Sequence, residues 1–167
     1  MKTKLQEFLK TVLERGLSIA TYIFPFLEIT VYFSSRVCYS SNDIGLKVIY
    51  ANYLYPLMLF YEKNVYLIFI AMVAIFLMCS RKSLPLTKFL RFNVLQAILL
   101  DIICACVGQI YMTFPTVFKL SPFGIMFANF IFLGTFCWIM YSILIISLGR
   151  FPVLPVISRA ANIHLQR

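Results

Sequence analysis

The sequence predicts an all-α membrane protein: four transmembrane helices, an N-terminal amphipathic helix, and a short re-entrant or interfacial segment between spans 1 and 2. Three observations predict it. Of the 167 residues, 62% are hydrophobic and only 13% are charged, far from the balance of a soluble domain. The apolar residues gather in runs near the ~20 residues that cross a hydrocarbon layer at 1.5 Å each. The 15 Lys and Arg, against 6 Asp and Glu, fall in the connections between those runs. Scattered this way they form no patch for a nucleic acid, so their natural partners are anionic lipids and the retaining side of a membrane.

Residues 1–15 place Leu5, Phe8, Leu9, Val12 and Leu13 on one helical face, with Lys4, Glu7, Lys10 and Glu14 elsewhere, as in an amphipathic interfacial helix. These residues carry acids and no Ser-rich stretch, unlike a transit peptide. Residues 16–148 form the membrane domain, with spans at about 16–34, 65–80, 94–114 and 123–148. The first contains Pro25, expected to kink it, and Glu28. Between spans 1 and 2, Val48–Tyr61 is apolar and tyrosine-rich but too short to cross, so it is expected to be re-entrant or to lie at the headgroup level. Gly149 ends the last span, and residues 149–167 form a Pro-containing tail.

Orientation follows from the cations. Four crossings put Lys2, Lys4, Lys10 and Arg15, then Arg81, Lys82, Lys88 and Arg91, then Arg150, Arg159 and Arg167 on one side. Only Arg36, Lys47, Lys63 and Lys119 fall on the other. Basic loops stay on the side of synthesis, so both termini are expected there.

The third span carries Asn93, Gln96, Asp101 and Gln109 inside an apolar run. Asp101, Ala105, Gly108 and Gln109 fall on one helical face, and Asn93, Gln96, Ala97, Leu100 and Cys104 on an adjacent stripe. A carboxylate in mid-membrane costs a few kcal/mol to insert, so it is expected to face protein or water. Small residues beside polar ones suit a buried helix contact. Glu28 lies as far past Arg15 as Asp101 lies past Arg91, to within ~4.5 Å of helix rise, so the two acids share a depth. Glu28, Asn93, Gln96, Asp101 and Gln109 are therefore candidates for a hydrophilic pathway or for helix packing.

Other chemistry has little to work with. His164 is the lone histidine, and no nucleophile elbow, P-loop or haem-attachment pattern occurs. The five cysteines are odd in number and mostly within apolar runs, so they read as packing residues without disulfides. Trp138 also reads as packing. No enzyme activity, cofactor or metal is expected.

The run Arg91-Phe92-Asn93-x-x-Gln96-Ala97-x-Leu99-Leu100-Asp101-Ile102 resembles the signature of the twenty-kilodalton Tic family, subunits of the protein-import translocon of the chloroplast inner envelope. Tyr22-x-x-Pro25-x-x-Glu28 and Pro152-x-x-Pro155-x-Ile157-Ser158-x-Ala160-Ala161 agree with it, so the resemblance covers residues 17–161. Nuclear-encoded members carry a long transit peptide, and its absence here resembles a plastid-encoded or cyanobacterial copy. The resemblance implies a multi-pass protein of the plastid inner envelope with both termini in the stroma, contributing to a preprotein-conducting path. Its implied partners are other translocon membrane subunits and the preprotein in transit, with a homo-oligomer possible. A four-helix bundle fills its own interior, so one copy is expected to form a wall of a conduit rather than a pore. The alternatives are a small proton- or ion-coupled transporter using Glu28 and Asp101, and a purely structural organiser of a membrane complex.

Overall fold

The structure, a computed structural model, describes residues 2–40, 44–80, 86–155 and 157–166. Asp43, Arg81, Lys82 and Pro85 lie outside the described residues, as do the side chains of Leu5, Phe8, Arg36, Cys38 and His164. The described chain is helical throughout, with no strand: α1 (Lys2–Ala20), α2 (Ile23–Ser40), α3 (Ile44–Ile49), a π-helical turn (Tyr50–Leu54), α4 (Tyr55–Lys63), α5 (Val65–Ser80), α6 (Lys88–Thr113), α7 (Thr116–Leu120), α8 (Pro122–Ser147) and α9 (Ile157–Gln166). Three stretches are long and apolar enough to cross a membrane: Leu9–Phe33, Lys88–Thr113 and Pro122–Ser147. A fourth is the pair Lys47–Lys63 and Val65–Ser80, bent by 76°. The protein is an all-α membrane protein.

The helix breaks follow from the sequence chemistry. α1 runs through Gly16, and the chain breaks instead at Thr21–Tyr22. Pro25 explains the position. It has no N–H to give the carbonyl four residues back, which is that of Thr21. Pro25 thus sits in the first turn of α2, where a missing donor costs least. Pro56 acts similarly, since the backbone widens into the π turn just before it. α5 has only 16 residues, about 24 Å of rise, short of the ~30 Å hydrocarbon core. The Val48–Tyr61 segment is the other limb of the same bent unit. The two limbs meet at Asn64, whose side-chain amide donates to the Phe60 carbonyl at 2.8 Å.

α6 is the centre of the bundle, and every residue from Leu90 to Ile98 is buried. On one side α2 and α8 close over it. Tyr22 at the break and Ile29 and Phe33 of α2 pack with Ala97, Leu100, Cys104 and Tyr111 of α6 and with Ala128, Ile139 and Ile146 of α8. On the other side Leu90, Val94, Leu95 and Ile98 pack with Cys79 of α5 and Ala161 of α9. The outer face of α8 shows Phe123, Met126, Phe130, Leu133 and Leu144, and α5 shows Tyr66, Leu67, Phe69 and Ile70. These are faces suited to lipid. Trp138 is 42% exposed on α8. Leu9, Val12, Leu13 and Leu17 leave the apolar stripe of α1 uncovered by the chain.

Cations close three helix C-termini, where backbone carbonyls lack partners and the helix dipole is negative. Arg15 donates to the Ser147 carbonyl at 2.9 Å, at the end of α8. Lys119 donates to the Met112 carbonyl at 2.9 Å, at the end of α6. Arg91 donates through Nε to the Cys79 carbonyl at 2.9 Å, and through Nη2 to the same oxygen, at the end of α5. Gly149 finishes α8 with φ +73°, and the Arg150 N–H returns to the Ile145 carbonyl at 3.1 Å.

Candidate functional site

The polar residues of α6 form a seam along the helix. From Asn93 to Gln109 it spans about 24 Å of rise. Asn93 and Gln96 are fully buried in its first half, Asp101 is 3% exposed at its middle, and Gln109 is exposed near its end.

Asn93 donates to the Phe89 carbonyl at 3.0 Å, a bond within its own helix, while its Oδ1 has no partner among the described residues. Gln96 reaches the tail. Its Oε1 lies 3.3 Å from the Ser158 hydroxyl, which also accepts the Leu154 N–H at 2.7 Å. The same hydroxyl is 3.3 Å from the Pro152 carbonyl, so its single proton serves one of two acceptors. This contact folds the tail onto α6 and buries Leu154, Ile157 and Ala161. The tail after Pro155 is thus the docked helix α9. Pro155 itself is exposed in the turn before α9 and makes its shape, its carbonyl accepting the Ile157 N–H at 2.8 Å.

The two acids lie on neighbouring helices, α2 and α6, and face the same region. Glu28 is 6% exposed on α2, and its Oε2 accepts the Tyr61 hydroxyl at 2.6 Å. Asp101 faces the same region from α6, within electrostatic range of Glu28, Tyr61 and Tyr32. Asp101 Oδ1 has no hydrogen-bond partner among the described residues. Tyr61 belongs to the segment expected to be re-entrant or interfacial, and its side chain is packed inside the protein. It is 4% exposed and turned inward, because a buried carboxyl group is costly unless a donor meets it.

Towards the far end of α6 the Gln109 amide donates to the Tyr32 hydroxyl at 2.7 Å. The Tyr32 ring lies directly over Gly108, and a Cβ there would collide with it. The seam therefore runs from the paired acids outward through Tyr32 and Gln109 to the surface. Gln109 is not deep, but it is where the polar interior meets the outside.

The remaining motif residues are structural. Tyr22 is buried, its hydroxyl beside Ser142 and Gln96. Phe92 stacks edge-on to Phe151 with centroids 5.2 Å apart. Arg91, 7% exposed, ties α5 to α6. The structure thus brings Tyr61 to Glu28, Gln96 to Ser158 and Gln109 to Tyr32, with Asp101 within electrostatic range of Glu28. Sequence reasoning missed Tyr61, 33 residues from its acceptor, and no spacing signals that pair. It also missed the capping role of Arg91, although a cation one turn into a buried helix is itself a signal for an acceptor nearby. Cys79, Cys104, Cys106 and Cys137 are free thiols. Among the described residues no group of His, Cys, Asp and Glu could hold a metal ion.

Residues 11–161 match the family profile described as "Chloroplast import apparatus Tic20-like". The chain is 33% identical over 157 residues to a Tic20 family protein Ycf60 from Gracilaria tenuistipitata var. liui, covering 93% of this chain and 76% of that one. It is 30% identical over 153 residues to the Ycf60 protein of Porphyra purpurea, covering 90% and 75%. It is 34% identical over 118 residues to a Tic20 family protein of Synechocystis, covering 70% and 72%.

Proposed function

The chain belongs to the Tic20 family, and on that premise we propose that it is a membrane subunit of the protein-import translocon of the chloroplast inner envelope, forming one wall of the preprotein-conducting path. The observation that carries this reading is the family match over residues 11–161, whose signature residues converge on the polar seam of α6.

A wall rather than a pore fits the packing, since among the described residues α6 is enclosed by α2, α8 and α9 with no central channel for a polypeptide. Glu28 and Asp101 give α2 and α6 a buried polar element of the kind a hydrophilic pathway would be built on. The chain is net +9, so the attraction for a cationic preprotein comes from partner subunits rather than from this chain. Other translocon membrane subunits then complete the conduit.

Both termini are assigned to the stroma. Arg15 on the Ser147 carbonyl ties the start of the first long helix to the end of α8. Phe89, at the start of α6, lines one cavity with Thr11, Glu14, Arg15 and Gly149. An even number of crossings satisfies both contacts, with the bent α4–α5 pair making the fourth. The excess of basic residues at that end favours the stromal side.

Asp101→Asn tests the role of the seam. The change keeps the shape, and one carboxyl oxygen has no hydrogen-bond partner among the described residues, so the bundle is expected to tolerate it. The expected outcome in isolated plastids is that the variant still co-isolates with its translocon partners in mild detergent while preprotein import falls severalfold. Loss of co-isolation assigns Asp101 to packing instead. The coupled acids also suit a proton-linked transporter, and ion or proton flux through the chain alone in liposomes favours that reading.

A further inference from the structure

Five cations with described contacts or surroundings divide into two groups. Arg15, Arg91 and Lys119 sit at helix C-termini, where the dipole welcomes them. Lys88 and Arg159 sit where it does not. Lys88 is the first residue of α6 and Arg159 is in the first turn of α9, and neither first turn contains an acid. These two cations line the same groove, of about 380 Å³, between the start of α6 and the tail. Among the described residues no carboxylate lines it, and neither cation has a hydrogen bond or an ion pair.

The rest of the groove is apolar on one side. Phe92 forms its floor, edge-on to Phe151, and Phe151 and Val153 are 46% and 70% exposed at its rim. Two cations facing two helix N-termini call for an anion. An exposed apolar rim at the point where a long apolar helix begins calls for a hydrocarbon chain. We propose that the groove formed by Lys88, Arg159, Ser158 and the Phe92–Phe151 pair is a binding site for an acidic membrane lipid. The anionic headgroup lies between Lys88 and Arg159, and an acyl chain lies along Phe151 and Val153. Basic pockets between membrane helices take acidic headgroups for the same electrostatic reason. A bound lipid would also brace the tail, because Ser158 is both a groove residue and the contact that docks α9 on Gln96. The proposal rests on the membrane character of the chain and not on its part in import.

Native mass spectrometry of the full-length chain, delipidated in non-ionic detergent, tests the site with phosphatidylglycerol and phosphatidylcholine as probes. The expected result is one tightly retained phosphatidylglycerol, preferred over phosphatidylcholine, and a loss of that preference by roughly thirtyfold in Lys88→Gln/Arg159→Gln. Each single substitution loses a smaller part, which keeps the test informative if the double variant fails to fold. Lys47→Gln/Lys63→Gln, an equal charge loss elsewhere, retains the lipid. Equal retention of the two lipids overturns the proposal, as does equal loss in the Lys47/Lys63 control. Full displacement of the lipid by millimolar inorganic phosphate also overturns it, by showing a site for soluble anions. The readout is lipid retention by the isolated chain, so its failure is separate from any failure of the import reading.

Discussion

Arg91→Ala is expected to release α5 from the bundle and to lower the melting temperature of the detergent-solubilised protein by about 5–10 °C. Arg91 is the polar tie between α5 and α6, with two guanidinium nitrogens on the Cys79 carbonyl. Its removal leaves that carbonyl buried and unpaired, worth about 1–3 kcal/mol, and uncaps the negative end of α5. A protein of this size shifts by about 2–4 °C for each kcal/mol. Arg91→Lys is expected to recover part of the loss, because a single ammonium group can reach the same oxygen without the planar fork. An alanine variant that melts with the unsubstituted protein contradicts this role.

The second large effect lies at Gly108, and its sign depends on Tyr32. Adding a methyl group drives a Cβ into the Tyr32 ring, which must leave its place between α2 and α6. Overpacking of this kind costs about 1–3 kcal/mol. It also pulls the Tyr32 hydroxyl from the Gln109 amide. Replacing glycine by alanine inside a helix otherwise gains about 1 kcal/mol. Gly108→Ala is therefore expected to destabilise the protein when Tyr32 is present and to stabilise it in a Tyr32→Ala background. Thermal melts of the four proteins of that cycle give the sign directly. The same sign in both backgrounds contradicts the contact.

Much of the bundle could be read from the sequence because membrane segments obey a strict rule about polar groups. Asn93, Gln96 and Asp101 stand out in an apolar run, and their burial in α6 is what that rule demands. The shared depth of Glu28 and Asp101 came from counting residues from the flanking arginines, and the two are within electrostatic range of each other. What was not legible depends on contacts distant in the chain. Tyr61 meets Glu28 across 33 residues, and Ser158 meets Gln96 across 62. No periodicity encodes either pair. The break at Thr21–Tyr22 is an intermediate case. Pro25 announces a broken helix, but the break falls at the carbonyl it leaves without a donor, one turn earlier. The 16-residue α5 shows the limit of reading spans by hydropathy. Its composition is as apolar as any span, yet at 16 residues it passes for a crossing only together with the preceding limb, bent from it by 76°.

The account turns on which face of the bundle a preprotein touches. A photo-crosslinking residue at position 32 or 109, where the polar seam reaches the surface, and at position 130 or 144, on the outer face of α8, samples both faces while a preprotein is arrested in isolated plastids. The account predicts adducts from 32 and 109 and none from 130 and 144. Adducts from α8 alone, or from neither pair while import proceeds, would contradict it.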